Sequence, residues 1–128
     1  MLGLSVLLAL ALTSVSDPAA AQQQAGAPDA ECASATDTAT MRRCESARYQ
    51  RARAALKASY QDLVQRLDGP AQAKLRAAQE AWERFREVNA DFFADTARGG
   101  TLQALLRTTV LADMTEARST ELRTRVPR

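Results

Sequence analysis

The stretch LRAAQEAWERFREVNADFFADT, residues 75–96, decides the fold of this 128-residue chain. Apolar residues recur in it at intervals of three and four, the spacing that places side chains on one face of an α-helix. Most of its charged residues fall on the other side, as expected of a helix with one face in water. We expect neighbouring segments to cover the apolar stripe, with Trp82 as its anchor. The predicted stripe comprises Leu75, Ala78, Trp82, Phe85, Asn89, Phe92 and Thr96.

Two further helices are predicted to provide that cover. The first begins at a Thr or Asp N-cap within residues 36–38 and continues to about residue 68. Gly69 suits the left-handed position after a helix and Pro70 suits the first turn of the next, so these two helices should form an antiparallel hairpin. Gly99-Gly100 ends the second helix, and Thr101 can cap a third. No segment has the alternation of a strand. The predicted fold class is all-α, a three-helix antiparallel bundle or hairpin.

The N-terminal residues 1–21 are typical of a secretory signal peptide. Residues 2–12 form an apolar run that is too short to span a bilayer, and Ala19-Ala20-Ala21 offers small residues for cleavage before Gln22. A buried N-terminal helix is the alternative. Residues 22–31 are rich in Gln, Ala and Pro and predict a flexible leader, which leaves residues 32–126 as the helical domain. The mature protein would be periplasmic or secreted and would have no transmembrane segment.

The two cysteines of the chain suit an exported protein. A disulfide between Cys32 and Cys44 would close a loop of about thirteen residues and stabilise the domain by about 3 kcal/mol. A zinc site is the alternative, but two thiols in a chain without histidine fall short of a zinc ligand set. The lack of histidine also removes the commonest general base. We therefore predict no metal, no cofactor and no enzymatic activity.

A set of residues along the whole domain occurs in a recognisable order, namely Cys32, Cys44, Tyr60, the sequence Leu75 to Gln79 before Trp82 and Arg86, Gly99-Gly100, and Thr115, Arg118 and Leu122. In this order and spacing the chain resembles the lysozyme inhibitor LprI-like family of small secreted bacterial proteins. The resemblance implies a helical, non-enzymatic protein that binds a lysozyme or another envelope protein. The family usually has a second cysteine pair, at positions that correspond here to Ala90 and Val110. We expect these two residues to pack where that disulfide stands in relatives.

Charged residues of the second predicted helix allow both a functional and a structural interpretation. Arg86 lies one turn after Trp82 and could stack on the indole as a recognition spot. We favour Trp82 as a core anchor whose edge Arg86 covers while pairing with a carboxylate. Glu87, Asp91 and Asp95 recur every fourth residue, and paired carboxylates can cleave glycosidic bonds. Because a helix face has no cleft to separate their pKa values, we prefer a solvated face.

Two other segments are candidates for partner binding. The first helix begins with many cations, among them Arg48, Arg51 and Arg53, and positive charge near a helix N-terminus opposes the dipole. This cluster is compatible with an anionic membrane surface or acidic protein, or with a merely solvated face, whereas export argues against nucleic acid. Arg98-Gly99-Gly100 could project into the two-carboxylate cleft of a lysozyme, or could be a plain turn.

Overall fold

The computed structural model describes residues 29–125, so the predicted signal peptide and most of the predicted leader lie outside the described residues. A short helical turn, α1 (29–33), precedes three long helices, α2 (Thr38–Val64), α3 (Gly69–Ala94) and α4 (Leu102–Thr124). A 3₁₀ turn, Asp95–Ala97, follows α3. Residues 29–125 contain no strand, which confirms the all-α class. None of the helices within this range is long and apolar enough to cross a bilayer.

The disulfide between Cys32 and Cys44 is present, with the two Cα atoms 5.6 Å apart. It joins α1 to the second turn of α2 and confirms the predicted pairing. An ion pair of 3.1 Å between Glu31 and Arg43 lies beside it. Both of its side chains are largely exposed, so the covalent bond is the main restraint on α1.

The long helices α2 and α3 begin with aspartate caps. The N–H of Thr40 donates to the carboxylate of Asp37 at 2.8 Å, and that of Ala71 donates to Asp68 at 2.9 Å. Pro70 occupies the first turn of α3, as predicted. The α2 helix ends four residues earlier than predicted, and the Gln72 side chain donates to the carbonyls of residues 64 and 67 there. This hydrogen bonding satisfies carbonyls that the helix end leaves free.

Two predicted roles at the helix ends are wrong. Gly69 does not adopt a left-handed conformation, because Asp68 caps α3 directly and Gly69 is its first residue. Among the described residues a positive φ occurs at Gly99 alone, at 75°. Thr101 precedes α4 but makes no side-chain cap hydrogen bond. The Gln103 side chain instead accepts the N–H of Gly99 at 3.2 Å, and this contact closes the turn.

The central helix of the bundle is α4, which packs along both α2 and α3, and not α3, which the sequence predicted as the helix that the other two cover. Contacts between Arg48 and Glu116 and between Ser59 and Ser119 show that α2 and α4 run parallel. The contacts of α3 with α4 run the other way, so α3 is antiparallel to both. Beyond their connection, α2 and α3 have few or no close backbone contacts in the described range. The two helices of the predicted hairpin, α2 and α3, are therefore separated, and α4 packs against both and holds them together.

Leucines form the apolar core where α2 ends and α3 begins. Leu56, Leu63 and Leu122 are buried together, and partly buried Trp82 and Leu75 pack against them. Toward the other end of the bundle α3 buries only the small apolar side chains of Ala90 and Ala94. These two residues and Ala112 of α4 are at most 2% exposed, beside buried Leu111. Small side chains allow the two backbones to approach closely.

The apolar stripe predicted on α3 is mostly not the buried face. Phe85 is 58% exposed and Phe92 is 71% exposed. The face turned inward instead carries Gln79, Trp82 and Arg86, followed by buried alanines. This face is rotated from the predicted one because α4 presents small and polar groups that accept an arginine and a glutamine. Trp82 is an anchor of the packing, but it lies at one edge of the predicted stripe.

Candidate functional site

Trp82 and Arg86 form a stacked cluster between α3 and α4, with a contribution from α2. The Arg86 guanidinium lies 5.2 Å from the centroid of the Trp82 ring and 5.7 Å from that of Tyr49. It also donates to the Thr115 hydroxyl at 3.3 Å and to the Glu87 carboxylate at 2.7 Å. Its side chain is only 12% exposed. This geometry supports the structural interpretation, in which Arg86 covers the indole and pairs with a carboxylate.

Arg118 of α4 approaches the same indole. Its guanidinium lies 5.7 Å from the Trp82 centroid and donates to Gln79 at 3.2 Å and to Glu121 at 2.8 Å. The family motif residues Trp82, Arg86, Thr115 and Arg118 thus meet in one half-buried cluster, although they lie far apart in the chain. Tyr60 lies apart from them and packs against the leucine core.

The carboxylates that recur along α3 are ion-pair partners of arginines. Arg107 of α4 donates to Glu87 at 2.8 Å and to Asp91 at 2.6 Å, and Asp95 pairs with Arg98. Burial alone would raise the pKa of Glu87, but hydrogen bonds from Arg86 and Arg107 outweigh it and hold that pKa below its ordinary value. Glu87 therefore stays ionised at neutral pH and does not have the raised pKa of a general acid.

A groove of about 660 Å³ opens between the separated helices α2 and α3. Leu56 and Gln79 line its buried part, and charged side chains of both signs line its rim. Such mixed charge favours no single ionic ligand class. Among residues 29–125, no group of three or more His, Cys, Asp or Glu side chains is placed to hold a metal ion. The remaining lining residues are Gln50, Arg53, Ala54, Lys57, Tyr60, Arg76, Glu80, Glu83 and Arg86.

The three arginines singled out in the first helix point in different directions. Arg48 faces α4, where it donates to Asp113 and Glu116 at 2.6 Å each. Within α2 it also donates to Glu45 at 3.2 Å. Hydrogen bonding to Glu116 raises the pKa of Arg48 above its ordinary value, against the effect of burial. Arg53 lines the groove, with its guanidinium 5.8 Å from the Tyr49 ring, and Arg51 is exposed. They do not form one continuous basic face.

The Arg98-Gly99-Gly100 segment forms a tight, exposed turn at the end of the bundle. Arg98 is 77% exposed in its side chain, and its Nε donates to Asp95 at 2.7 Å. The Gly100 N–H donates to the carbonyl of Ala97 at 3.0 Å. Phe93 and Leu102, which are 49% and 47% exposed, flank the turn. We call Phe93, Arg98, Gly99, Gly100 and Leu102 the tip surface; it combines a convex turn with apolar and cationic side chains.

Sequence reasoning missed two features of the α4 interfaces. Ser59 and Ser119 share a buried hydrogen bond of 3.0 Å, and Arg123 donates to Ser119 at 2.7 Å. Arg107 links α4 to two carboxylates of α3. No local pattern marks such pairs, since their members lie far apart in the chain. The recurring carboxylates of α3 were the one sequence signal for the contacts of Arg107.

The antiparallel packing of α3 and α4 also places Ala90 and Val110 at the same level of the two helices. Ala90 is fully buried and Val110 is partly buried. The two positions where the family resemblance implies a second cysteine pair therefore lie at the interface of α3 and α4.

Comparison of the chain with known proteins gives one family match. The family model described as "Lysozyme inhibitor LprI" matches residues 29–122. No curated protein and no solved structure matches the chain. The family match covers the disulfide, most or all of each long helix and the Trp82–Arg118 cluster. Because it spans well over half of the sequence, the protein belongs to the LprI lysozyme inhibitor family.

Proposed function

We propose that the protein is an exported, non-enzymatic inhibitor that binds a lysozyme through the tip surface. The observation that carries this proposal is the family match over residues 29–122. The paired state of the α3 carboxylates supports a binding role over a catalytic one.

Among the described residues, the tip surface combines a tight turn with exposed side chains, a shape that suits insertion into a cleft. Lysozymes cleave glycosidic bonds with two carboxylates in a groove, so an inserted guanidinium would meet opposite charge there. Asp95 holds Nε and Nη2 of Arg98, while Nη1 has no protein acceptor among the described residues. Exposed Phe93 and Leu102 would add apolar contact beside it. Arginine and aromatic side chains, phenylalanine included, are enriched at the cores of protein interfaces.

Long-range attraction contributes little to this binding. The chain carries a formal net charge of +2, and many lysozymes are themselves basic. Like net charges slow the encounter and do not steer it. Affinity would therefore depend on the short-range fit of the turn, which the hydrogen bonds of Gly99 and Gly100 hold in one shape.

The test is a cell-wall lysis assay with the exported, purified protein and several lysozyme types. We expect micromolar protein to slow lysis by at least one type, and Arg98→Ala with Leu102→Ser to weaken inhibition at least tenfold. Arg76→Ala, an exposed arginine at the other end of α3, is the matched control and should inhibit like the unmodified protein. Undiminished lysis with every type would refute inhibition, and full inhibition by the double variant would refute the tip surface.

A second candidate function, an envelope adaptor for an anionic partner, is favoured by a different observation. Arg42, Arg51, Arg53 and Lys57 of α2 make no ion pair among residues 29–125. An adaptor of this kind would bind anionic vesicles or acidic proteins and would lose binding steeply with added salt. Arg51→Glu with Arg53→Glu should then abolish binding and leave lysozyme inhibition intact. The divergent directions of these two side chains make this candidate the weaker one.

A further inference from the structure

One face of α3 is apolar, exposed and without a partner in the described structure. Phe85, Val88 and Phe92 lie on it, with 58%, 69% and 71% of their surfaces exposed. Their spacing of three and four places them in one row on the side of α3 that faces away from α4. Leaving three large apolar side chains in water forgoes the free energy of their burial. A row of this kind marks an interaction surface.

The row is asymmetric along the helix. Toward the start of α3 it continues through exposed Ala77 and Ala81 and ends at Lys74. Toward the end of α3 it carries the bulky side chains and finishes at Asp95. We call the residues from Lys74 to Asp95 on this face the α3 stripe. One half of the stripe therefore has small side chains and a cationic end, and the other half has bulky side chains and an anionic end.

The two halves complement each other around a midpoint between residues 84 and 85. Ala77 and Phe92 are equally distant from this midpoint, and so are Ala81 and Val88. Two copies of α3 packed antiparallel would place each of these bulky side chains of one copy opposite an alanine of the other. Lys74 lies as far from the midpoint as Asp95 on the opposite side, so each end of the pair would bring Lys74 of one copy near Asp95 of the other, whose carboxylate also binds Arg98 of its own chain. Parallel packing would instead place the two bulky halves opposite each other and bring like charges together.

We propose that two copies of this protein associate through the α3 stripe as an antiparallel, two-fold symmetric pair. A two-fold pair needs a surface that is complementary to itself, and the stripe has this property in both size and charge. The contact leaves most of the tip surface free for lysozyme binding, because Arg98, Gly99, Gly100 and Leu102 lie beyond the end of α3. Phe93 touches the stripe, since its ring packs edge-on against Phe92 with the centroids 5.3 Å apart. Arg98 and Leu102 would remain accessible in the pair.

The expected affinity is modest. The three exposed side chains and their alanine neighbours would bury about 450 Å² on each copy, estimated from the area that aromatic side chains bury. The area buried on the two copies together stays below the roughly 1,200 Å² of a stable specific interface. Arg84 flanks the middle of the stripe, where the symmetry would bring two guanidinium groups near each other. We therefore expect a dimer that forms at micromolar concentrations and dissociates on dilution.

Sedimentation of the exported protein over a wide concentration range tests the association. We expect a monomer–dimer equilibrium whose dissociation constant rises at least tenfold in Phe85→Glu and in Val88→Glu. Both side chains are more than half exposed, so the variants should keep the helical circular dichroism signal. Leu102→Glu, at an exposed apolar residue of the tip surface, is the control and should dimerise normally. A monomer at every concentration, or dimers unaffected by both stripe variants, would overturn the proposal.

Engineered cysteines test the antiparallel register. The single-site variants Ala81→Cys and Val88→Cys are prepared separately and then mixed under mild oxidation. We expect the mixture to form the mixed disulfide rapidly, while each variant alone forms little disulfide dimer. The reason is that identical positions would be offset by seven residues, about 10 Å along the helix, which exceeds disulfide reach. Rapid self-linking of either variant would indicate another arrangement and overturn the proposal.

The same variants separate this proposal from the inhibitor proposal. If the protein is monomeric and Phe85→Glu abolishes inhibition of a lysozyme, the stripe binds lysozyme and the self-association is refuted. If Phe85→Glu prevents dimerisation while inhibition remains, the self-association is supported. Failure of the unmodified protein to inhibit any lysozyme would leave the sedimentation and cross-linking results, and hence this proposal, unaffected.

Discussion

Replacing Arg86 by methionine should destabilise the domain strongly, because this side chain joins all three long helices. Met keeps much of the aliphatic stem, so the variant removes mainly the guanidinium and its contacts. These are the stacking on Trp82 and Tyr49, the hydrogen bond to Thr115 and the ion pair with Glu87. Because the side chain is only 12% exposed, the guanidinium makes these contacts largely away from water.

The magnitude follows from these contacts. Two stacked aromatic contacts contribute about 1–2 kcal/mol together, and the hydrogen bond to Thr115 about 1 kcal/mol. The ion pair adds less than about 1 kcal/mol, since Glu87 is 42% exposed and keeps Arg107 as a partner. The net loss should be about 2–3 kcal/mol, because the methionine side chain recovers some packing. For a domain of this size that loss corresponds to a Tm about 10–20 °C lower.

The assay is urea unfolding of the purified protein, followed by far-UV circular dichroism and by the fluorescence of Trp82. Arg86→Lys keeps the charge but loses the planar fork, so its loss of stability should be intermediate. Arg76→Met, at an exposed position with no ion pair among the described residues, should change stability by less than about 0.5 kcal/mol. If Arg86→Met changes stability no more than this control, the structural role of Arg86 is wrong and a recognition role gains support.

Three further predictions concern the ion pairs, the turn and the disulfide. Arg48 holds the pKa of Glu116 below its ordinary value, so this pair stabilises the fold at neutral pH. The loss caused by Arg48→Met should be largest there and should fade as the pH falls below the ordinary glutamate pKa and through the lowered pKa of Glu116, a trend that urea titrations at several pH values would show. Gly99→Ala should cost about 1 kcal/mol because of its positive φ, whereas Gly69→Ala, with no neighbouring atom within 4 Å, should be neutral or slightly stabilising in thermal melts. Reducing the single disulfide should lower the free energy of unfolding by about 3 kcal/mol, and an unchanged Tm after complete reduction would contradict this.

Features set by short stretches of sequence were predictable. Asp37, Pro70 and Gly99-Gly100 mark helix ends through local backbone chemistry, and the structure places helix ends at these positions. The pairing of Cys32 with Cys44 was predictable because no other cysteine competes. The exception among these local signals was Gly69, where a strong aspartate cap one residue earlier made a left-handed residue unnecessary.

The rotation of α3 could not be predicted from its own sequence. Ranking its faces by aromatic content selects Phe85 and Phe92, since both are more apolar than Gln79 or Arg86. Which face of α3 is buried depends on α4, whose Thr115 and Arg118 form hydrogen bonds with those two polar side chains of α3. A buried arginine is acceptable only when its partners are in place. Those partners lie on another helix, so no window of α3 contains the deciding information.

The use of arginines inside the bundle changes which surfaces remain for partners. Arg48, Arg86, Arg107 and Arg118 each hold one helix to another or cover the indole, and of these four the sequence predicted such a role only for Arg86. The surface available to an anionic partner is therefore smaller and more scattered than the composition suggests. Because the polar face of α3 packs against α4, three large apolar side chains on the opposite face of α3 remain in water. Recognition by this protein should consequently rest more on the α3 stripe and the tip surface than on its positive charge.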